Sequence, residues 1–163
     1  MLREPEKART ILVAVDCSKP AEAALDAAIS IAKTHQDRVL IVNISNALIA
    51  PISYPQNPPA IIDPRPLPAA VPEAAIAEIE PCLKLYERRA IEAGIKSVES
   101  KLVPAIGTIG EGIVAEADKN GVSLIIVGSR GLTGIKRVLL GSVADYVVKN
   151  AHCDVYVARP PAD

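Results

Sequence analysis

The sequence predicts an α/β fold, a three-layer sandwich in which helices cover both faces of a five-stranded parallel sheet. Three observations carry that prediction. Short apolar runs, ILVAV at 11–15 and LIIV at 124–127, have the composition of strands buried on both faces. Stretches with apolar residues at helical spacing lie between such runs. Strand and helix patterns alternate five times, and a chain that alternates in this way builds a parallel sheet through crossover helices.

The elements follow in order. Asp16 ends the first apolar run, and Ser18 is placed to cap a helix whose first turn tolerates Pro20. Ala21, Ala24, Leu25, Ala28, Ile29 and Ala32 then mark one helical face. RVLIVNIS, 38–45, is the second buried strand. From Asn46 to Pro72 the composition changes, with eight of the fourteen prolines in this stretch, so a long irregular excursion is expected. It reads as an insertion into one domain spanning 1–163, because the same alternation resumes beyond it. Ile76, Ile79, Leu83, Tyr86 and Ala90 form the next helical stripe, in which Pro81 predicts a kink or a late start, and Gly94 closes it. Val98, Ser100 and Leu102 alternate with Glu99, Lys101 and Val103, the pattern of an edge strand, which Pro104 follows. Ile109, Ile113 and Ala117 space a third helix that stops near Asn120-Gly121. The LIIV strand comes next, then a helix through Val143, Val147 and Ala151, and a final strand at Asp154–Ala158.

Composition narrows the function. Half the residues are hydrophobic while Trp and Phe are absent, so the core is aliphatic. A net charge of -1 offers no footprint for nucleic acid or an anionic membrane, and no apolar run reaches the roughly 20 residues of a bilayer span. Cys17, Cys82 and Cys153 are scattered without CxxC or Cys/His spacing, which argues against a disulfide framework and a zinc site and for a reducing compartment. The amino terminus lacks a long apolar signal segment. The expectation is a cytoplasmic protein.

In parallel sheets ligands bind beyond the carboxyl ends of the strands. Those positions here hold Asp16-Cys17-Ser18, Ser45 onward, Pro104, and Gly128 onward. Gly128 and Gly131 follow the fourth strand, and Gly141-Ser142 precedes the last helix, with Asp145 completing a pattern like a capping box. Glycines before a helix amino end make a natural anion site, with Arg130, Lys136 and Arg137 nearby in sequence to add charge. No Walker A loop is present, and a Rossmann GxGxxG would follow the first strand. The plainer alternative is a glycine loop that only turns the chain, with Ser142 as an ordinary cap.

Gly128-x2-Gly131-x9-Gly141-Ser142 resembles the G-2x-G-9x-G-(S/T) signature of the ATP-binding branch of the universal stress protein family. ILVAVDCS, VSLIIVGSRG and LLGSVADYVVKNAHCDVYVARP are similar to that family's first strand, fourth strand and carboxyl end. The resemblance implies strand order 3-2-1-4-5, which sets Asp16 and Gly128 beside one crevice. It implies that Asp16 and the backbone near Ala14 recognise adenine, and that Ile44 and Val127 line the adenine and ribose pocket. Gly128, Arg130 and Gly131 would approach ribose and phosphates, while Gly141, Ser142 and Val143 would donate to the phosphates. ATP would be the ligand, with Mg2+ or Mn2+ held by its phosphates, and Asp154–Ala158 would pair in a homodimer.

Many members of that family carry Gly where this chain has Cys17, so the first loop is expected to sit differently. A thiol beside a helix amino end has a lowered pKa, and control of nucleotide binding through Cys17 follows as a hypothesis, against a small buried side chain. Adenylate-forming enzymes would show HxGH or SGGxDS, and a phosphorylation receiver would need an acidic cluster after strand one and an Asp after strand three; none of these is in the sequence. His35 and His152 stand isolated, as surface or structural residues. The expected function is therefore an ATP-binding stress-response regulator or sensor, not an enzyme beyond slow ATP hydrolysis, acting on an unidentified protein partner. The alternative is a nucleotide-independent interaction module in the same fold.

Overall fold

The computed structural model describes residues 8–46, 71–105, 107–129 and 140–160. The elements are β1 (Thr10–Ala14), α1 (Lys19–His35), β2 (Arg38–Asn46), α2 (Glu73–Glu92), β3 (Val98–Ala105), α3 (Ile109–Lys119), β4 (Leu124–Gly128), α4 (Ser142–Asn150) and β5 (Asp154–Ala158). All five strands are parallel, in the order β3-β2-β1-β4-β5.

Period two decides which face each side chain serves. Ile11, Val13, Val39, Ile41 and Ile126 pack with α1 and α2, whereas Leu12, Leu40, Val42, Ile125 and Val127 pack with α3 and α4. Ile11, Leu12 and Val13 are completely buried, so β1 reads as an unbroken apolar run because both of its faces meet helices. Each such side chain contributes about 1.5–3 kcal/mol by leaving water. Ala21, Ala24, Ala28 and Ala32 form the buried stripe of α1. Their small volume lets that helix lie close to the sheet.

Ser18 caps α1 as its position suggests, accepting from the Ala21 amide at 3.3 Å. Thr108 and Glu111 form a full capping box on α3, reaching Glu111 N and Thr108 N at 3.2 and 2.8 Å. α2 corrects the expectation of a late start: it begins at Glu73, directly after Pro72, and runs through Pro81. Pro81 lies on an exposed face, where solvent satisfies the carbonyl that its missing N–H leaves without a partner. Gly94, at φ +97°, turns the chain out of α2.

β3 is an edge strand, as its alternation predicts, but it continues through Pro104 to Ala105 instead of ending before the proline. An edge position tolerates a residue with no amide hydrogen. Beneath it, Glu116 is 6% exposed and is held by Lys101 Nζ at 3.0 Å and Asn120 Nδ2 at 2.9 Å. Burial works against the charge on Lys101, but the Glu116 and Glu99 carboxylates outweigh it and raise the ammonium pKa.

The cysteines also correct the sequence reading. Cys17 and Cys82 are joined in a disulfide between the β1–α1 turn and α2, across 65 residues of chain. Cys153 is free, and burial, with Asp118 and Asp154 adding to it, pushes its thiol pKa up. Among the described residues, no helix is long and apolar enough to cross a membrane.

Candidate functional site

Strand order 3-2-1-4-5 sets the carboxyl ends of β1 and β4 side by side, with α1 leaving toward one face of the sheet and α4 toward the other. The crevice of a doubly wound sheet opens at such a reversal. Val42, Ala14 and Val127 are level with one another across β2, β1 and β4, at the carboxyl ends of β1 and β4. Val127 is buried, Ala14 half-buried, and Ile44, near the end of β2, is 6% exposed. A Cβ on Gly112 would come within 2.7 Å of Ile44 Cγ2, so that glycine allows α3 to approach β2 here. Ile44 and Val127 thus serve as core in this structure while they border the crevice.

The β1 end is fixed by residues that the sequence reading passed over. Val15 N–H donates to Val42 O at 2.9 Å, and buried Asn43 donates through Nδ2 to Val15 O at 2.8 Å. Ser45 Oγ donates to Asn43 Oδ1 at 2.8 Å. A polar side chain inside the apolar run RVLIVNIS was the available signal, since a buried amide must find partners.

Asp16 is half-buried, and its Oδ1 accepts from the Ser18 amide at 3.1 Å and from Ser18 Oγ. Ser18 Oγ in turn accepts from the amide of Ala21. Asp16 therefore orients the cap of α1. Between them, Cys17 takes φ 62°. That left-handed conformation favours glycine and costs a side-chain-bearing residue roughly 1–2 kcal/mol.

Gly128 ends β4 against α1. A Cβ there would meet the carbonyl carbon, Cβ and oxygen of Pro20, each at 2.9 Å. The glycine is thus required by the close approach of β4 to the first turn of α1. Beyond it, Ser129 N–H donates to Ala158 O at 2.7 Å, and Gly141 N–H donates to Ser129 O at 2.9 Å. This last bond closes the excursion between β4 and α4 and brings the two ends of the glycine signature together. The Gly141 amide is thus paired with Ser129 in this structure. Arg130 and Gly131, like Lys136 and Arg137, lie outside the described residues.

α4 starts at Ser142 with Gly141 as its N-cap, a residue with no side chain to cap the helix. The expected capping box between Ser142 and Asp145 does not form. Ser142 is one residue too late to cap, and Asp145 pairs with Lys149 at 2.8 Å instead. The amides of Ser142 and Val143 fall in the first turn, where a helix supplies no acceptor and carries partial positive charge. Ser142 is exposed and Val143 half-buried. Geometry therefore gathers Ala14, Asp16, Val127, Gly128, Gly141, Ser142 and Val143 at one end of the sheet, with donors aimed outward from α4. His152 lies elsewhere, exposed and paired with Asp118 at 3.1 Å.

The topology places this crevice at the switch point of a doubly wound α/β domain. The chain belongs to the universal stress protein family, whose model matches residues 7–159. It is 34% identical over 154 residues to the universal stress protein YxiE of Bacillus subtilis, covering 91% of this chain and 97% of that one. Among solved structures it resembles the universal stress protein UspA of Lactobacillus plantarum, with TM-score 0.73 and 22% identity, covering 94% of this chain and 99% of that one. The universal stress protein of Archaeoglobus fulgidus in complex with dAMP has TM-score 0.64 and 20% identity, with 93% and 98% covered.

Proposed function

We propose that this chain binds an adenine nucleotide, ATP in the cell, in the crevice at the carboxyl ends of β1 and β4, and acts as a nucleotide-dependent stress-response regulator. One observation carries the reading most: the Gly141–Ser129 hydrogen bond seats the uncapped amino end of α4 beside Gly128. Phosphate suits that place because its charge and acceptor oxygens complement first-turn amides. The dAMP bound by the Archaeoglobus fulgidus relative supports an adenine ligand.

In this reading Asp16 and the backbone near Ala14 face the adenine, and Ile44 and Val127 supply its apolar floor. Ser142 and Val143 donate to the phosphates, with Gly128, Arg130 and Gly131 around the ribose and phosphates. Mg2+ or Mn2+ would be held by the phosphates themselves. The protein works in the cytoplasm as one domain with a proline-rich insertion, and reports nucleotide state to a protein partner. It turns ATP over slowly at most. Its β5 edge, with Tyr156 46% exposed, pairs with a second copy.

The test is to release and identify nucleotide from purified protein and to titrate the emptied protein with ATP and AMP by calorimetry. ATP in the extract, or binding tighter than about 100 μM (5.5 kcal/mol), is expected. Protein that comes empty and takes neither nucleotide overturns the reading and favours the nucleotide-independent interaction module. Val155→Lys checks the dimer, which should become monomeric by light scattering.

A further inference from the structure

We propose that Cys17 and Cys82 form a reversible thiol–disulfide pair that sets the geometry of the Asp16–Ser18 turn, a redox-modification site on the wall of the crevice. The first argument is where the bond lies. It joins the turn that leaves β1 to the middle of α2. The turn residue it uses has φ 62°, a conformation that glycine would adopt without strain. A cysteine held there, with its sulfur on a partner, makes the shape of the turn depend on the bond.

The second argument is how α2 is anchored. Leu83, Tyr86 and Ala90 are buried, and Arg89 reaches Asp26 of α1 at 2.7 Å. Toward its amino end, Glu73, Ala74, Ile76, Ala77 and Glu78 are exposed. Cys82 stands at the boundary between these halves, so the bond ties the weakly packed half to β1–α1. Both cysteines are only half-buried, at the surface end of the β1–α1 turn and on α2.

The exchange balances with low-molecular-weight thiols and disulfides. One thiolate attacks a sulfur of the pair, the Cys17–Cys82 bond breaks, and the other cysteine leaves as a thiolate. A second thiolate then attacks the mixed disulfide, and the small molecule departs as its own disulfide. Two protons pass from the two small thiols to the two cysteines. Oxidation by a small disulfide runs the same steps backward. In a reducing cytoplasm the pair rests as thiols, and closure reports oxidation.

The consequence for ligand rests on the adenine-nucleotide reading given above. Closing the bond holds the Asp16 carboxylate in place and raises affinity by pre-organisation.

The experiment compares wild-type protein oxidised with glutathione disulfide and reduced with dithiothreitol, beside Cys17→Gly. Mass spectrometry of a non-reducing digest should find the Cys17–Cys82 linked peptide, with one free thiol in the oxidised state. Hydrogen exchange over 15–22 and 73–83 should be at least threefold slower in that state, and Cys17→Gly should show no redox dependence. No linked peptide, or identical exchange in both states, overturns the proposal. AMP is titrated into each state and should bind at least threefold tighter when oxidised. Equal binding overturns the coupling to ligand. Binding in neither state, with the exchange difference present, overturns the nucleotide reading and supports the redox pair.

Discussion

Two strand-to-helix junctions meet at the crevice, and they solve the same problem differently. After β1, Asp16 and Ser18 satisfy one another and the Ala21 amide, so the amino end of α1 is closed by its own side chains. After β4, the chain returns through the Gly141–Ser129 bond and starts α4 with no side-chain cap. The contrast separates stability from binding. A helix end that caps itself has used its donors, and one left uncapped keeps them for water or a ligand.

The contrast can be broken most forcefully at Gly128, which touches both junctions. Gly128→Val forces a side chain against the Pro20 backbone. It should cost about 3 kcal/mol of stability, at the upper end for overpacking, read as a lowered denaturant midpoint, and should reduce nucleotide affinity as well. Ser142→Pro is the sharper test. Proline at the first helical position suits φ there, and Gly141 at φ -61°, ψ 152° already has the conformation that precedes proline. Stability should hold within about 0.5 kcal/mol, while ATP affinity falls about tenfold, 1.4 kcal/mol, and adenosine binding stays unchanged in calorimetry.

Ser18→Ala should do the reverse, lowering stability by about 1 kcal/mol with a smaller effect on ATP. If Ser142→Pro and Ser18→Ala lower stability equally, the two junctions do not differ as described. The smallest effect lies far from both. The Arg38 hydrogen bond, opposed by burial and helped by Lys101, lowers the pKa of Glu99 below its ordinary 4.5. Its depressed pKa gives a contribution present above pH 4.5 and lost as pH falls through the folded value. Arg38→Met should lower the denaturant midpoint slightly at pH 7, and the difference from wild type should disappear as pH falls through that acid range.

Much of this architecture is legible in the sequence because burial on both faces writes strands as continuous apolar runs. β1 and β4 are the clearest cases, and β3 shows its edge position through alternation. Capping was legible where an oxygen-bearing side chain sits one residue before the helix, as Ser18 does. It misled at Ser142, because the SxxD pattern fits equally well one residue later, where the serine is already inside the helix. Pro81 misled because its cost depends on which face it occupies, and that face is set by packing of Leu83, Tyr86 and Ala90. The Cys17–Cys82 pair could not be read from spacing, since only the docking of α2 on the sheet brings positions 65 apart together.

The site was legible as two separate clues, the residues after β1 and the glycines around α4. Their meeting depended on strand order, which the family resemblance implied and the sheet shows. Asn43 escaped notice because a single amide in an apolar run looks like an interruption, when its work is to hold the Val15 carbonyl.

The two margins of the sheet are chemically unlike. β3 presents Glu99, Lys101 and the amide-free Pro104, which discourage another strand from adding there. β5 presents Val155, Tyr156 and Val157. A sheet with two adhesive margins can grow by repeated addition into a fibre, but a sheet with one can only meet its own copy about a two-fold axis. If two chains pair through β5 as proposed, Pro104 on the opposite margin leaves no second edge suited to a further strand, and assembly stops at a pair.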